Sequence, residues 1–266
     1  MKNKIYVVTH KAFALSETLK QKGYEIITVG SNCCKNDGIR DSDGDDTIAN
    51  KNANYCELTA MYWIWKNVSG EIKGFCHYRR FFTWPTLRYN EKKIVDIEDV
   101  LNILVKDPKA IILPERKYYN VSARELYLQC GREKDLETTR SVIAEKYPAY
   151  LVEYDSMLKG NTGYITNMMI ANSKVYDDYC KWLFDILFEV ERRTSLNGYS
   201  KEEARIYGYI SERLLDIWVQ HNKLRPVEFQ SINSEKDTGI RFLVYRLIHR
   251  LGFYKMVKTI MWKARR

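Results

Sequence analysis

Short apolar runs alternate with helical periodicity along the first part of the chain. Residues 4–9 and 24–29 are rich in strand-forming side chains, and residues 12–22 between them have helical spacing that ends beside Gly23. A strand, a helix and a second strand in this order favour a parallel sheet with right-handed crossovers. The pattern therefore predicts an α/β protein with a mostly parallel, Rossmann-like sheet flanked by helices.

The same alternation continues beyond a polar loop at residues 32–46. Helices are predicted at 52–67, 94–105, 124–147, 173–193 and 202–222, and strands at 72–76, 110–113, 164–171 and, at an edge, 227–229. We expect one domain over residues 1–230 and a separate segment over residues 231–266. A polar linker at 231–239 begins that segment.

The last segment changes the charge picture. Of the formal net charge of +9, eight positive charges lie between Arg241 and Arg266, where no Asp or Glu occurs, so residues 1–240 carry about +1. Apolar residues at helical spacing share residues 240–262 with these cations. Such an amphipathic helix is typical of an anionic membrane surface, and Trp262 suits that interface. The alternative is a helix that caps the core and has a solvated basic side.

Composition excludes several classes of protein. No run of about 18 uncharged apolar residues is long enough to span a bilayer, and the N-terminal apolar run is too short for a secretory signal. The six cysteines have neither a disulfide framework nor zinc spacing, which indicates a reducing compartment. Because the excess charge is confined to the tail and no nucleic-acid-binding motif occurs, a nucleic-acid partner is disfavoured. We expect a cytoplasmic protein at the inner face of the cell membrane.

Several stretches resemble one bacterial domain-of-unknown-function family (4422), whose members are assigned as capsular and exopolysaccharide glycosyltransferases. The matching stretches run in order from about Lys4 to Phe229. They are VVTHK from Val7, NKNANYCELTAMYWIWKN from Asn50, GFCHYRRFF from Gly74, NMMI from Asn167, YCKWLFDIL from Tyr179 and RIYGYISERLLDIW from Arg205. The ELTAMYWIWKN and HYRRFF blocks are the most specific.

The resemblance implies a glycosyltransferase A-like fold and a sugar donor activated by a nucleotide diphosphate, usually UDP. It also implies an acceptor sugar on a lipid diphosphate, as in the synthesis of capsule, exopolysaccharide or O-antigen. Some members are thought to transfer galactofuranose, which makes UDP-galactofuranose one candidate donor. The implied activity is that of a hexosyltransferase.

Polar residues follow two of the predicted strands. Thr9, His10 and Lys11 come at the carboxyl end of the first strand, where ligands of open α/β sheets bind. They offer a hydroxyl, an imidazole and an ammonium to a uracil or a diphosphate. On the residues alone an ordinary strand-to-helix turn is the more common explanation, and the family resemblance favours binding.

His77, Tyr78, Arg79 and Arg80 end a later apolar strand. Two adjacent guanidiniums can neutralise a diphosphate and stabilise the charge that develops on a nucleotide leaving group. The alternative is a basic surface turn with an interior histidine. Many A-type glycosyltransferases have a metal-binding DxD motif in this region, whereas this chain has His77-Tyr78-Arg79. The need for a divalent metal, Mn²⁺ or Mg²⁺, is therefore left open.

Acidic residues supply three further hypotheses. The loop Asp41–Asp46 departs from the calcium-loop pattern, so a solvated loop is favoured over a donor-binding or metal-binding one. Asn52 and Glu57 follow it as candidate donor-binding residues. Glu57 either accepts from a uracil or a ribose hydroxyl, or it is a helix-surface carboxylate or one that pairs locally with Lys51 or Lys66.

A carboxylate is also needed to deprotonate the acceptor hydroxyl. Glu212, Asp155 and Asp216 are the candidates, and Glu212 is preferred, although a salt bridge to a nearby arginine explains it equally well. A different class of function stays open beside the transferase, namely a non-catalytic sugar- or nucleotide-binding protein of the same pathway.

Overall fold

A mixed sheet forms the centre of the computed structural model, which describes residues 3–30, 36 and 38–235. The strands are β1 (Ile5–Thr9), β2 (Tyr24–Thr28), β3 (Ile39–Arg40), β4 (Ile72–His77), β5 (Arg80–Thr83), β6 (Ala110–Pro114), β7 (Lys117–Tyr118), β8 (Thr162–Gly163), β9 (Met169–Asn172) and β10 (Arg225–Asn233). The helices are α1 (Glu17–Gln21), α2 (Asn52–Tyr55), α3 (Leu58–Asn67), α4 (Ile97–Lys106), α5 (Ala123–Tyr127), α6 (Glu133–Lys146), α7 (Leu151–Lys159), α8 (Ser173–Arg193) and α9 (Ile206–His221).

The eight strands of the main sheet have the order β3-β2-β1-β4-β5-β10-β6-β9, and β9 also pairs with β4. Strands β2, β1 and β4 are parallel, as predicted, and β3, a two-residue strand within the loop predicted at 32–46, is parallel to β2. Strands β6 and β10 also pair in parallel, so the prediction of a mostly parallel sheet fails only for β5 and β9, which run antiparallel to their neighbours. Only Tyr78 and Arg79 separate β4 from β5, and two residues suffice for a hairpin but not for a parallel crossover.

Alternation along the strands divides the core into two layers. On β1, Ile5 and Val7 pack on one face with α1 and α4, whereas Tyr6 and Val8 pack on the other with α3, α8 and α9. At Gly74 of β4, a Cβ atom would lie 2.6 Å from the Cα of Ile170. A glycine there lets β9 approach β4 closely.

Helix boundaries differ from the predicted ones where capping overrides periodicity. The Ser16 hydroxyl accepts from the Leu19 amide at 3.2 Å, so α1 begins at Glu17 rather than near Ala12. Asp96 caps α4 in the same way, accepting from the Asp99 amide at 2.9 Å. The helix predicted at 124–147 is two helices, α5 and α6, separated at residues 128–132.

The C-terminal part of the sheet departs most from prediction. The edge strand expected at 227–229 is the nine-residue β10, which lies inside the sheet between β5 and β6. Strand β5 was not predicted, and the strand expected at 164–171 begins only at Met169.

Over the described residues, no helix is both long and apolar enough to cross a bilayer. The linker and basic tail predicted for residues 231–266 lie, from residue 236 onward, outside the described residues. The division into two segments therefore stays a prediction.

Candidate active site

The ends of β1 and β4 lie side by side at one edge of the sheet. The two strands are parallel neighbours with Val8 opposite His77, and the Tyr78 amide donates to the Val8 carbonyl at 3.0 Å. The rings of His10 and Tyr78 meet edge to face, with centroids 5.6 Å apart. The structure therefore brings together the polar segments at residues 9–11 and 77–80, because the carboxyl ends of neighbouring parallel strands lie at the same edge of a sheet.

Positive charge is concentrated at this edge. Burial lowers the pKa of His10, and the neighbouring charges of Lys11, Arg79 and Arg205 lower it further. Burial also lowers the pKa of His77, whose Nε2 lies 2.8 Å from the Thr166 carbonyl oxygen. Both imidazoles are thus disfavoured as cations, while the guanidiniums keep their charge. An anion would find the edge electrostatically favourable.

The two adjacent arginines have different surroundings. Arg79 is partly exposed, lies over the Tyr78 ring at 5.6 Å and has its Nη1 3.6 Å from Glu235 Oε2. Arg80 begins β5 opposite His77, and its charge acts on the carboxyl of Glu212. The two arginines therefore interact with different groups: Arg79 lies near Glu235, and the charge of Arg80 acts on Glu212.

Thr9 and Asn52 use their polar atoms locally. The Thr9 hydroxyl donates to the Lys11 carbonyl at 2.9 Å and accepts from the Lys11 amide at 3.1 Å, which closes the turn after β1. The Asn52 amide donates to the Cys56 carbonyl at 2.7 Å and to the Thr59 hydroxyl at 3.0 Å. These contacts organise the edge, and the predicted ligand-binding role of both residues stays a prediction.

The helix predicted at 52–67 is interrupted at Cys56. Its φ of 54° and ψ of −130° separate α2 from α3 and are rare for a side chain with a Cβ atom. The Cys56 sulfur accepts from Arg205 Nε at 3.2 Å, which joins this break to the residue that precedes α9. Burial raises the pKa of the Cys56 thiol to about 11, so the sulfur is a neutral partner.

Glu57 follows the break and is held from a distant part of the chain. Its Oε1 accepts from the Asn167 amide nitrogen at 2.8 Å. Asn167 belongs to the loop before β9, and the preceding residue, Thr166, contacts His77. Glu57 is therefore neither a surface carboxylate nor paired with Lys51 or Lys66, as the alternative had it. Lys51 instead contacts Glu191, and Lys66 contacts Asp46.

Glu212 lies in the second turn of α9 with its side chain 17% exposed. Burial raises the pKa of its carboxyl from 4.5 to about 7, and Glu57 adds to the rise, whereas Arg213, Arg80 and Arg205 oppose it. Arg213 Nη1 donates to Glu212 Oε2 at 3.0 Å, so the expected salt bridge exists but does not offset burial. A carboxyl that titrates near neutrality suits proton transfer.

The other two candidate bases are engaged elsewhere. Arg140 binds both oxygens of Asp155 at 2.8 and 2.7 Å on the surface between α6 and α7. Arg116 binds both oxygens of Asp216 at 2.7 and 2.6 Å, one turn beyond Glu212 on α9. Among the three carboxylates, Glu212 is the one whose partners also adjoin the ends of β1 and β4.

The acidic loop packs on α3, where Asp46 pairs with Lys66 at 3.2 Å. Tyr62 donates to Asp46 at 2.7 Å, and the Trp63 indole donates to the Asp43 carbonyl at 2.5 Å. Within residues 3–30 and 38–235, no three His, Cys, Asp or Glu side chains converge as a metal-ligand set.

Sequence reasoning missed Arg205 and Asn167. Arg205 opens the RIYGYISERLL block and Asn167 opens the NMMI block, so the resemblance contained both without assigning them. Only the fold shows that these residues, far apart in the chain, adjoin Cys56 and Glu57.

The fold and the site together define an α/β protein with a cationic sheet edge and a partly buried glutamate whose pKa is raised. The family profile described as "Domain of unknown function (DUF4422)" matches residues 4–223, and the chain belongs to this family.

A solved structure of the bifunctional glycosyltransferase WbbM, in its apo state, is similar to this chain. The TM-score is 0.73 at 27% sequence identity, over 86% of this chain and 45% of the WbbM chain. This protein thus spans less than half the length of WbbM. No curated protein matched the sequence.

Proposed function

We propose that the chain is a glycosyltransferase that moves a hexosyl group from a nucleotide-diphosphate donor, UDP-linked, to a lipid-linked acceptor of surface-polysaccharide synthesis. UDP-galactofuranose is one donor to be tested. The observation that carries the proposal is the cationic edge formed by the ends of β1 and β4, next to a Glu212 carboxyl that titrates near neutrality.

The comparisons support the class of reaction. WbbM is named as a glycosyltransferase, and its similarity extends over most of this chain. The four parallel strands β3-β2-β1-β4, flanked by the antiparallel β9 and then β6, are in keeping with a glycosyltransferase A-like fold. Because folds host many functions, the site residues have to carry the rest of the argument.

The cations at the edge would hold the diphosphate of the donor. Lys11, Arg79 and Arg205, whose charges all act on His10, present ammonium and guanidinium donors, and such groups stabilise the charge that develops on a leaving phosphate. The charge of Arg80 acts on Glu212. The uncharged His10 and Tyr78 rings offer an aromatic surface next to these cations.

Glu212 would act as the general base. The acceptor hydroxyl gives its proton to Glu212 while its oxygen bonds to the anomeric carbon, and the bond from that carbon to the diphosphate breaks. The nucleotide diphosphate leaves with the bonding electrons, and Glu212 retains the proton. A base with a pKa near the working pH is best suited to this transfer.

The donor hypothesis is tested with purified protein and a panel of UDP-sugars that includes UDP-galactopyranose and UDP-galactofuranose. We expect UDP to raise the melting temperature and one donor to be hydrolysed or transferred, as followed by mass spectrometry with and without a chelator. Stabilisation by UDP without turnover would favour the non-catalytic binding protein instead. If UDP does not raise the melting temperature and no donor is turned over, the proposed function is refuted.

The site of action is proposed to be the inner face of the cell membrane, reached through the basic segment from Arg241 to Arg266. Deletion of this segment should abolish sedimentation with vesicles that contain anionic lipid and leave the melting temperature of the folded part unchanged. Full-length protein with neutral vesicles is the matched control. A deletion variant that still sediments with anionic vesicles would contradict the anchor.

A further inference from the structure

Two strained backbone positions meet at Glu57. Among the described residues, the non-glycine residues with positive φ are Cys56 at 54°, Asn167 at 51° and Lys223 at 51°. Cys56 precedes Glu57, and Asn167 donates a hydrogen bond to it. Strain of this kind costs about 1–3 kcal/mol per residue and persists where surrounding contacts enforce it. The third residue, Lys223, follows the end of α9 and has no such neighbour among these contacts.

The Asn167 side chain is buried and fully hydrogen-bonded. Its nitrogen donates to Glu57 Oε1 at 2.8 Å and to the Gly208 carbonyl at 3.2 Å, and its oxygen accepts from the Ser211 hydroxyl at 2.9 Å. Gly208 and Ser211 belong to the first turns of α9, and Ser211 immediately precedes Glu212. One amide therefore ties Glu57 to the helix that carries Glu212.

The charges around these two glutamates come from four parts of the chain. Arg213 on the same helix, Arg80 of β5 and Arg205 before α9 act on Glu212. Glu57 acts on Glu212 with the opposite sign, and Cys130, after α5, also adjoins it. Glu57 in turn faces His77, Cys56 and Arg205. Of these groups, Glu57 is the one whose negative charge opposes ionisation of Glu212 most strongly.

We propose that Asn167 is a positioning residue: through its contacts with Glu57, Gly208 and Ser211 it holds the Glu57 carboxylate against the first turns of α9, the helix that carries Glu212. The proposal rests on the proposed function in taking Glu212 as the base. It assigns Glu57 a task other than contact with the nucleotide, and it gives the strained backbone at Cys56 and Asn167 a purpose.

Exchanging the hydrogen-bond donor and acceptor between Asn167 and Glu57 distinguishes a positioning role of Asn167 from a purely structural one. In Asn167→Asp, two carboxylates face each other across the 2.8 Å contact, and both the melting temperature and the turnover should fall. Turnover should fall about tenfold to a hundredfold, because small misplacement near reacting groups has effects of this order. Adding Glu57→Gln to that variant restores an amide–carboxylate pair with its polarity reversed. We expect the double variant to regain part of its melting temperature, because the Gly208 carbonyl still lacks its donor, and not to regain turnover.

The single variant Glu57→Gln gives the second readout. Removing a negative charge near Glu212 favours its ionised form, so the acid limb of the pH–turnover profile should move to lower pH. The same shift should appear when the Glu212 carboxyl is titrated directly by NMR with carbon-13-labelled glutamate. That measurement needs no turnover.

Lys223→Gly is the control for left-handed backbone, and it should leave turnover and the pH profile unchanged. The inference is overturned if the double variant recovers turnover together with stability, or if Glu57→Gln leaves the titration of Glu212 where it was. If the wild-type protein turns over no donor at all, the proposed function fails. The melting and NMR measurements would then still decide whether Asn167 positions Glu57 against α9.

Discussion

The two halves of α9 carry charged residues of the same kinds in different surroundings. In the second half, Asp216 binds Arg116 through two contacts of 2.7 and 2.6 Å, and His221 lies 3.0 Å from Glu153. In the first half, Glu212 has one contact with Arg213, and Arg205 contacts a neutral sulfur and lies 5.3 Å from the Tyr209 ring.

This difference distinguishes charged residues that stabilise the fold from charged residues that are available to a ligand. A one-to-one ion pair satisfies its members and leaves little for a ligand to gain. Charged residues whose partners are neutral, or that make only one hydrogen bond, keep donors and acceptors for a ligand. This arrangement costs stability, as functional sites commonly do. The strained backbone at Cys56 adjoins the start of α9, through Arg205 and Gly208. The experiments below either break this contrast or sharpen it.

Glu212→Gln should have the largest effect. Loss of the base should lower turnover by about 10²–10⁴-fold, while the affinity for UDP stays near that of wild type. Steady-state kinetics and calorimetric titration with UDP measure the two quantities. Unchanged turnover would transfer the role of base to another carboxylate.

Replacing Arg79 and Arg80 together by Ala should lower kcat/KM by about 10²–10³-fold. An effect of this size is typical when donors that stabilise the charge of the transition state are lost. Titration with UDP and with uridine locates the loss, since only UDP has the phosphates. As the matched control, Arg140→Ala removes an arginine from the α6–α7 surface and should leave both affinities unchanged. Wild-type kinetics in the double variant would remove both arginines from the site.

Stability should respond with opposite sign at neighbouring turns of α9. The folded state raises the pKa of Glu212 from 4.5 to about 7, so its stabilising effect is complete below 4.5 and is lost as the pH rises through 7. By linkage the loss is about 3 kcal/mol at most. Glu212→Gln should therefore melt increasingly above wild type as the pH rises from 5 to 8.

Burial also raises the pKa of Asp216, but Asp216→Asn leaves the Arg116 guanidinium without the carboxylate that binds it through two contacts. This variant should therefore destabilise the protein by about 2 kcal/mol at pH 7, with little change in turnover. Chemical denaturation of the two variants at several pH values checks the contrast. Destabilisation by both variants at pH 8 would mean that the two halves of the helix do not differ in this way.

Asp155→Asn should have the smallest effect. The pair with Arg140 is exposed, and surface pairs contribute about 0–1 kcal/mol. We expect a change of less than about 1 kcal/mol in the free energy of unfolding and wild-type turnover. A large loss of turnover would place the α6–α7 surface in the site and reopen the choice of base.

Local pattern predicted the regular elements best where burial and periodicity agree. Strand β1 and helix α8 were predicted almost to the residue, because continuous apolar strands and a long aromatic stripe have few alternative structures. Strand β5 was missed because its basic first residue and its hairpin partner masked the strand pattern. The break at Cys56 was missed because no propensity favours a cysteine with positive φ.

The candidate site was partly predictable for a related reason. His10, Lys11, His77, Arg79 and Arg80 follow strands, and the ends of parallel strands converge by topology. Thr9 and Asn52 were grouped with them as binding residues, yet in the structure their polar atoms serve the local turn and the helix break. Side chains such as these are assigned by contacts that a single segment does not contain.

The sequence by itself determined the α/β character, the parallel strands β1, β2 and β4 and the basic residues that end two of them, because these depend on periodicity and on chain order. Only the tertiary structure decided that β10 lies inside the sheet and that Asn167 holds Glu57. It also decided that burial raises the pKa of both Glu212 and Asp216, while only Asp216 has a bidentate arginine partner. Those features depend on which residues, far apart in the chain, contact and bury one another. Burial of this kind is set by the packing of the whole fold.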